Sequence, residues 1–505
     1  MGGGFTVLDT VVLFGYLVAI ISLGVSLGGR QKDARDYFVG GNALPWWAIC
    51  FSVVATETSA LTFISIPGLA YGTGLGFLQV AAGYLLGRIV VASTLLPRYH
   101  AGRLVTAYAL LEQRFGVATR RFASLTFMVT RIFGDSVRVF ATSIPLALIL
   151  GAALPARWGT PAAILVLGAC TLVYTYSGGL RAVVWTDIVQ MGVYWVGGIS
   201  AIVLLGHGVD GGWSAILDRA SAAGRLRIVD TGFVLSQPHT IWAGLIGGAF
   251  LSMASHGADQ LIVQRLMAAR TLADSKRAVI GSGVVVIAQF ALFLVIGVGL
   301  WAYYDARAFA RPDQVFPQFI IDVMPSGLKG LVVAGLLAAA MGTMSGSLNA
   351  LSAASTHDLW IPLSRRRPDD AATLRAGRRF TLMWAAVLIG GALLYREQGT
   401  PVVVIALSIA SFTYGALLGA FFLGMRWPRA QQRDAIIGMS TGLAVMSVVV
   451  FAKQVIAWFP ALAERLGPLT NIAWPWYVLI GTTITLLTGM LSSLFSTPRP
   501  ANATT

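Results

Sequence analysis

The chain has 505 residues, 56% of them hydrophobic and only 11% charged, with 57 glycines, whereas soluble proteins carry roughly 25% charged residues and ~7% glycine. Mean hydropathy is +0.75, so a soluble enzyme is excluded and an all-α polytopic membrane protein is expected. The net charge of +15 would suggest a nucleic-acid partner in a soluble chain. Here the basic residues lie in short loops between apolar spans, where they orient helices, and no nucleic acid is expected.

A helix crosses a bilayer with about 20 apolar residues. Thirteen stretches qualify, at roughly 5–27, 45–70, 77–97, 121–151, 160–178, 182–206, 241–263, 278–302, 329–356, 378–394, 400–424, 434–453 and 475–495. The first lacks a basic n-region and a small-residue cleavage site, so it reads as a retained helix and not as a signal peptide. Of the lysines and arginines, 23 fall in one set of loops, 10 in the alternate set, and Arg88, Arg131 and Arg138 lie within spans. That bias places the amino terminus outside and the carboxyl terminus inside. The longest outside loop is about 207–240, and no soluble insertion is long enough for a further domain. Cys50 and Cys170 lie inside apolar segments, which implies neither a disulfide framework nor a metal site.

Spans two to six and seven to eleven form two groups of five, and an odd number per group forces opposite orientations. The division is 5–27 as an extra helix, 45–206 and 241–424 as inverted repeats, 434–495 as two peripheral helices and 496–505 as a tail. Each group opens on an interrupted helix: "ATETSALTFISIPG" (55–68) in the first and "LSMASHGADQ" (251–260) in the second. Broken helices at matching positions of two halves point to the binding site of a secondary transporter, because freed backbone groups cannot face lipid. Serines and threonines that merely bond to their own helices are the plainer explanation of each cluster singly.

The fourth span, "FMVTRIFGDSVRVFATSIP" (127–145), puts Arg131, Asp135 and Arg138 on one helical face. Either they form an internal salt-bridge ladder, or Arg138 grips a substrate carboxylate, which arginine matches bidentately, while Asp135 bridges to Arg131. The ninth span carries "AAAMGTMSGSLNALSAASTHDL" (338–359), a run of hydroxyls in a transmembrane helix. Such oxygens, with carbonyls of an unwound neighbour, suit sodium.

With "SGGLRAVVWTDIVQ" (177–190) and "GADQLIVQRLMAAR" (257–270) added to that run, the chain from about 5 to 495 resembles the sodium:solute symporter family. The resemblance implies thirteen or fourteen spans, a five-plus-five inverted repeat core of the LeuT type, alternating access, and sodium as coupling ion with no other cofactor. It implies a sodium site made by the carbonyls of Ala55 and Thr58 facing the carbonyl of Ala339 and the hydroxyl of Thr343. The residue before that threonine is commonly serine in the family, and here it is Gly342, so one hydroxyl ligand is missing. Some relatives hold a second sodium through the aspartate of the "WTD" motif, here Asp187, with Thr343 and Ser345; the neighbouring serine is replaced by Gly346. Alternatively Asp187 pairs with Arg181 or caps a helix. Glu57 matches an acidic position of the proline-type members and would tune the sodium site or pair with an arginine.

The sialic acid members use an arginine on the fourth span, which matches Arg138. Further substrate contacts are expected from Ser59 and Thr62 on the first broken helix, from Ser252, Ser255 and His256 on the second, and from Phe77 and Gln79 covering the pocket. A histidine such as His256 is more often a packed helix-interface residue than a ligand, and the sequence does not require proton coupling through it. Galactose-type members carry Gln, Asn and Tyr where this chain has Thr62, Ser252 and Ser255, which argues against a plain hexose. The expected function is sodium-coupled import of a small organic anion, such as a sugar acid, sialic acid or monocarboxylate, across an inner membrane without covalent chemistry. A neutral sugar or polyol symporter, a proton-coupled carrier and a membrane sensor input module are the rivals. The partners are the solute, sodium and the bilayer; the oligomeric state is open.

Overall fold

The computed structural model describes residues 5–28, 33–102, 104–150, 155–364, 368–395 and 402–495. Arg30, Lys32, Arg103, Arg365, Arg366, Arg367, Arg396, Arg499 and the tail 496–505 lie outside the described residues. The described residues are almost wholly helical. Their one strand-like pairing is an isolated bridge between Leu44 and Ala269, which joins the segments flanking the two interrupted helices.

In chain order the helices are α1 (Val7–Gly28), α2 (Ala34–Val39), α3 (Trp46–Glu57), α4 (Ala60–Thr73), α5 (Leu78–Ala101), α6 (Ala109–Phe115), α7 (Val117–Leu150), α8 (Ala156–Gly208) and α9 (Gly212–Ala222). They continue with α10 (Gly248–Gly257), α11 (Gln260–Met267), α12 (Leu272–Tyr303), α13 (Val315–Val323), α14 (Leu328–Ala354), α15 (Asp370–Leu394), α16 (Val402–Arg426), α17 (Gln432–Val450) and α18 (Trp476–Leu494). Each of the thirteen predicted spans falls on helix. By length and apolarity alone, nine helices among the described residues can cross a membrane, or ten when the bent pair α3/α4 counts as one span.

Two features account for part of the difference from thirteen. Spans 160–178 and 182–206 merge into α8, whose 53 residues would be ~80 Å long if straight, over twice a bilayer core of about 30 Å. They are separated at Gly179, with φ 55° and ψ −158°, a conformation glycine alone adopts readily; a Cβ there would also strike the Tyr37 carbonyl. The predicted span 241–263 is likewise interrupted, between α10 and α11.

α14 is the centre of the bundle. All its residues from Val332 to Ala354 are buried, and it packs against α1, α7, α8 and α15. Small residues make that possible: Gly330 lies against the Asp9 backbone, Gly335 against Val193 and Gly342 against Gln190 and Asp187, the close approach typical of membrane helices. Asp9, fully buried on α1, accepts the backbone N–H groups of Gly327 (2.8 Å) and Gly330 (2.9 Å). A carboxylate from another helix thus satisfies the positive amino end of α14. Elsewhere α3 and α4 pack on α12, α5 on α10 and α12, and α16 on α17 and α18.

Candidate functional site

The ladder of α3 closes with Thr58 N–H donating to Val54 O at 2.8 Å and resumes with Thr62 N–H donating to Ser59 O at 2.9 Å. Between them Thr58 (φ −90°, ψ 68°) and Ser59 (φ −64°, ψ 172°) are non-helical, and the two segments meet at 60°. The carbonyls of Ala55, Thr56, Glu57 and Thr58 therefore fall in the gap between two ladders. Tyr194 on α8 donates its hydroxyl to Ser59 O, holding the far side of the gap. The break sits at Thr58–Ser59, while Pro67 is accommodated inside α4. The second interrupted helix breaks after Gly257, and Asp259 caps α11 by accepting Leu261 N–H at 2.8 Å.

A cavity of about 10 Å³ joins the first break to the bundle centre. It is lined by Ser59, by Asp135, Arg138, Val139 and Thr142 of α7, and by Ala340, Thr343 and Met344 of α14. That volume holds about one water and is far below the 300–1,000 Å³ of small-ligand pockets, so solute entry requires the helices to move apart. The structure thus brings Ser59, Asp135, Arg138 and Thr343 together. Thr343 Oγ1 donates to Ala339 O at 3.1 Å; the hydroxyl's lone pairs remain available. Ser345 Oγ donates to Gly342 O at 2.9 Å.

Arg131, Asp135 and Arg138 of α7 have unequal roles. Arg131 is buried, forms an ion pair with Asp259, and donates to Tyr414 OH at 2.8 Å, while Tyr414 OH donates to Asp259 at 2.5 Å. Asp135 Oδ1 lies 3.4 Å from a guanidinium nitrogen of both Arg131 and Arg138, and its Oδ2 has no partner. Arg138 has that single long contact and is 25% exposed. Arg131 is a pillar between α7, α11 and α16. Arg138 has most of its donors to spare.

Asp187 pairs with Arg265 and not with Arg181. Its Oδ2 is 2.6 Å from Ser52 Oγ and 3.5 Å from Arg265 Nη2, and Arg265 Nε donates to Ser52 Oγ at 3.0 Å. A Cβ on Gly346 would come within 2.5 Å of Arg265 Nη2, and one on Gly342 within 2.8 Å of Asp187 Oδ1. The two glycines give the guanidinium and carboxylate the space that serine side chains would fill.

The remaining expected site residues do not line the cavity. Glu57 pairs with the fully buried Arg88, whose Nη1 donates to Ser282 Oγ at 2.9 Å. His256 Nε2 lies 3.7 Å from Glu57, and its Nδ1 is 2.8 Å from Ser255 Oγ and 3.2 Å from Ser252 O. These residues form a second polar cluster between α3, α5, α10 and α12. Thr62 is buried, and Ser252 Oγ is buried without a partner. Gln79 ties down the 223–240 segment by donating to His239 O at 2.8 Å and accepting Asp230 N–H at 3.1 Å. Phe77 packs on Phe290 and His239 at ring distances of 5.0 and 6.0 Å. Burial against this seal pushes the His239 imidazole below its ordinary pKa.

Sequence reasoning gave no site role to Arg88, Asp259, Tyr414 or Gln289, and it counted Arg265 among the loop charges, whereas Arg265 is buried beside Asp187. Asp259 and Arg265 stand in the 257–270 motif, where intramembrane charge alone marks them. Gln289 is buried with neither amide atom paired, in a helix whose most apolar 18-residue stretch has a mean hydropathy of 2.6; a lone amide in so apolar a span is the signal that finds it.

The sodium:solute symporter family profile matches residues 37–442. The chain is 28% identical over 503 residues to the sodium/sialic acid symporter NanT of Aliivibrio fischeri, covering 97% of this chain and 93% of that one. It is 30% identical over 478 residues to the human sodium-coupled monocarboxylate transporter 1, covering 92% and 76%. Its fold superposes on a Na⁺-coupled sialic acid symporter, solved substrate-bound and outward-open, with TM-score 0.84 at 28% identity over 98% of this chain and 99% of that one. With the interrupted helices, the buried α14 and a profile match across most of the length, the chain belongs to the sodium:solute symporter family.

Proposed function

We propose that the protein is a sodium-coupled symporter importing a small organic anion through a plasma membrane by alternating access. The observation that carries this reading is the cavity at the first helix break, where an under-used guanidinium, Arg138, faces Ser59 and Thr343. The carbonyls of Ala55 and Thr58, with Ala339 O and Thr343 Oγ1, supply neutral oxygens for one sodium, and Arg138 supplies a bidentate match for a carboxylate. The similar proteins are named for sialic acid and monocarboxylates, both organic acids. Movement of α3 and α4 against α14 enlarges the cavity for the solute, and Thr62 of α4, Ser252 and Ser255 of α10 and Gln289 of α12 face it once it opens. Asp187 is already neutralised by Arg265, which favours a single sodium per cycle. The thirteen crossings and the amino-terminus-outside orientation belong to the same reading. Proteoliposome uptake of labelled sialic acid, a sugar acid and lactate under an inward sodium gradient tests it. Accumulation of at least one acid in sodium but not in potassium is expected; uptake indifferent to sodium, or confined to neutral sugars, overturns it.

A further inference from the structure

We propose that a crevice on the flank of the bundle binds an anionic phospholipid. The crevice measures about 290 Å³ and lies between α5, α16 and α18, and α10 packs against all three helices. Val90, Phe422, Leu486 and Met490 make its wall, and Arg98 and Arg426 stand at one end. Arg98 is in the last turn of α5 and Arg426 is the last residue of α16, so both guanidiniums sit where helices leave the apolar layer.

The surroundings identify the occupant. Val90 is 37% exposed, and Leu487 and Leu491 on α18 are 55% and 57% exposed, so this flank faces hydrocarbon. Arg98 and Arg426 form no ion pair with a carboxylate among the described residues. Arg98 donates one bond to Thr94 O, leaving the rest of its fork unspent. The nearby Arg114, by contrast, spends its guanidinium on the carbonyls of Gly424, Trp427 and Pro428. Two arginines over an apolar slot fit a phosphodiester with an acyl chain beneath it. A soluble phosphate would leave the slot unfilled. The unbranched thioether of Met490 adapts to a flexible chain. The phosphate sits between Arg98 and Arg426, and the chain lies along Val90, Phe422 and Leu486.

Purified protein in neutral detergent is titrated with phosphatidylglycerol, phosphatidylcholine of the same chains, or glycerol 3-phosphate, and binding is read by native mass spectrometry and by thermal shift. Saturable binding of phosphatidylglycerol alone is expected. The double variant Arg98→Gln/Arg426→Gln is expected to weaken it about thirty-fold. Thr94→Trp, which fills the slot and leaves both arginines, is expected to abolish it. Equal binding of phosphatidylcholine, full binding of glycerol 3-phosphate, or phosphatidylglycerol binding unchanged in both variants overturns the proposal. If the double variant does not fold, Thr94→Trp decides alone: retained binding refutes the site and lost binding supports it.

Discussion

Arg265 reaches to within 3.5 Å of Asp187 across the surface of α14 at the point where Gly346 has no side chain. Both groups are almost fully buried, and Ser52 bonds to each of them. A buried carboxylate that already has a guanidinium and a hydroxyl has little left for a metal ion. Asp187→Asn is therefore expected to leave the sodium dependence of uptake with a Hill coefficient of unity, unchanged from the parent. A fall in the coefficient on substitution would show a second sodium at Asp187. Removing one partner also strands the buried Arg265, which costs about 3–5 kcal/mol, so a lower melting temperature should accompany the unaltered coefficient.

Arg138 and Arg131 separate function from structure on one helix. Arg138→Ala is expected to weaken the anionic substrate at least about 30-fold, as for other truncated charge pairs, while the sodium-induced thermal shift persists. Arg131→Ala leaves Asp259 without its guanidinium and is expected to lower the melting temperature and yield of folded protein. Equal loss of sodium response in both variants would make Arg138 structural too.

Thr343→Ala removes the hydroxyl expected to face the carbonyls freed at Ala55 and Thr58. Its half-saturating sodium concentration should rise about tenfold, the scale of one hydrogen-bond-strength contact to a charge. Thr343→Ser keeps the oxygen and should restore most of the affinity. Wild-type sodium dependence in the alanine variant would move the site elsewhere.

Asp9→Ala tests the anchor of α14. Two backbone donors, Gly327 and Gly330, lose a charged acceptor in a buried setting, so the variant should lose about 2 kcal/mol of stability. Asp9→Asn retains an acceptor and should lose less. Identical melting of all three proteins would show that water replaces the carboxylate.

Burial against Phe77 holds the His239 imidazole below its ordinary pKa. Its pKa is lowered in the folded state, so the unfolded chain binds more protons near pH 6.5 and stability rises with pH there. The contribution is intact above that value and erodes as pH falls below it. Hydrogen-exchange protection of residues 223–240, taken relative to the intrinsic exchange rate at each pH, should fall on acidification to pH 5, and His239→Gln should flatten that dependence.

Much of the architecture was legible because it rests on composition and periodicity. Apolar runs must cross or be buried, and polar clusters at 55–68 and 251–260 must have protein or water for neighbours. The location of the first interruption was less legible: Pro67 and Gly68 advertise a break, yet Pro67 is carried within α4 and the chain parts at Thr58–Ser59, where no residue type compels it. At the site, the spacing of Arg131, Asp135 and Arg138 gave their common face. It did not tell that Asp259, well over a hundred positions away, would claim Arg131 and leave Arg138 available. Asp187 illustrates the same limit, since Arg181 is near in sequence and Arg265 is near in space. Local spacing encodes who shares a helix face, and tertiary packing chooses the partner across it.

The Asp9 anchor has a mechanical consequence. α1 precedes the first interrupted helix in the chain, with Val7, Val11 and Val18 82%, 63% and 63% exposed along its outer side. Because its carboxylate grips the start of α14 and its flank packs on α8, α1 behaves as an outrigger fixed to the innermost helix. Any tilt of α14 drags that hydrocarbon-wetted rod sideways through acyl chains. Turnover should then slow as the membrane becomes more ordered, with viscous drag on α1 adding to the barrier set at the solute site.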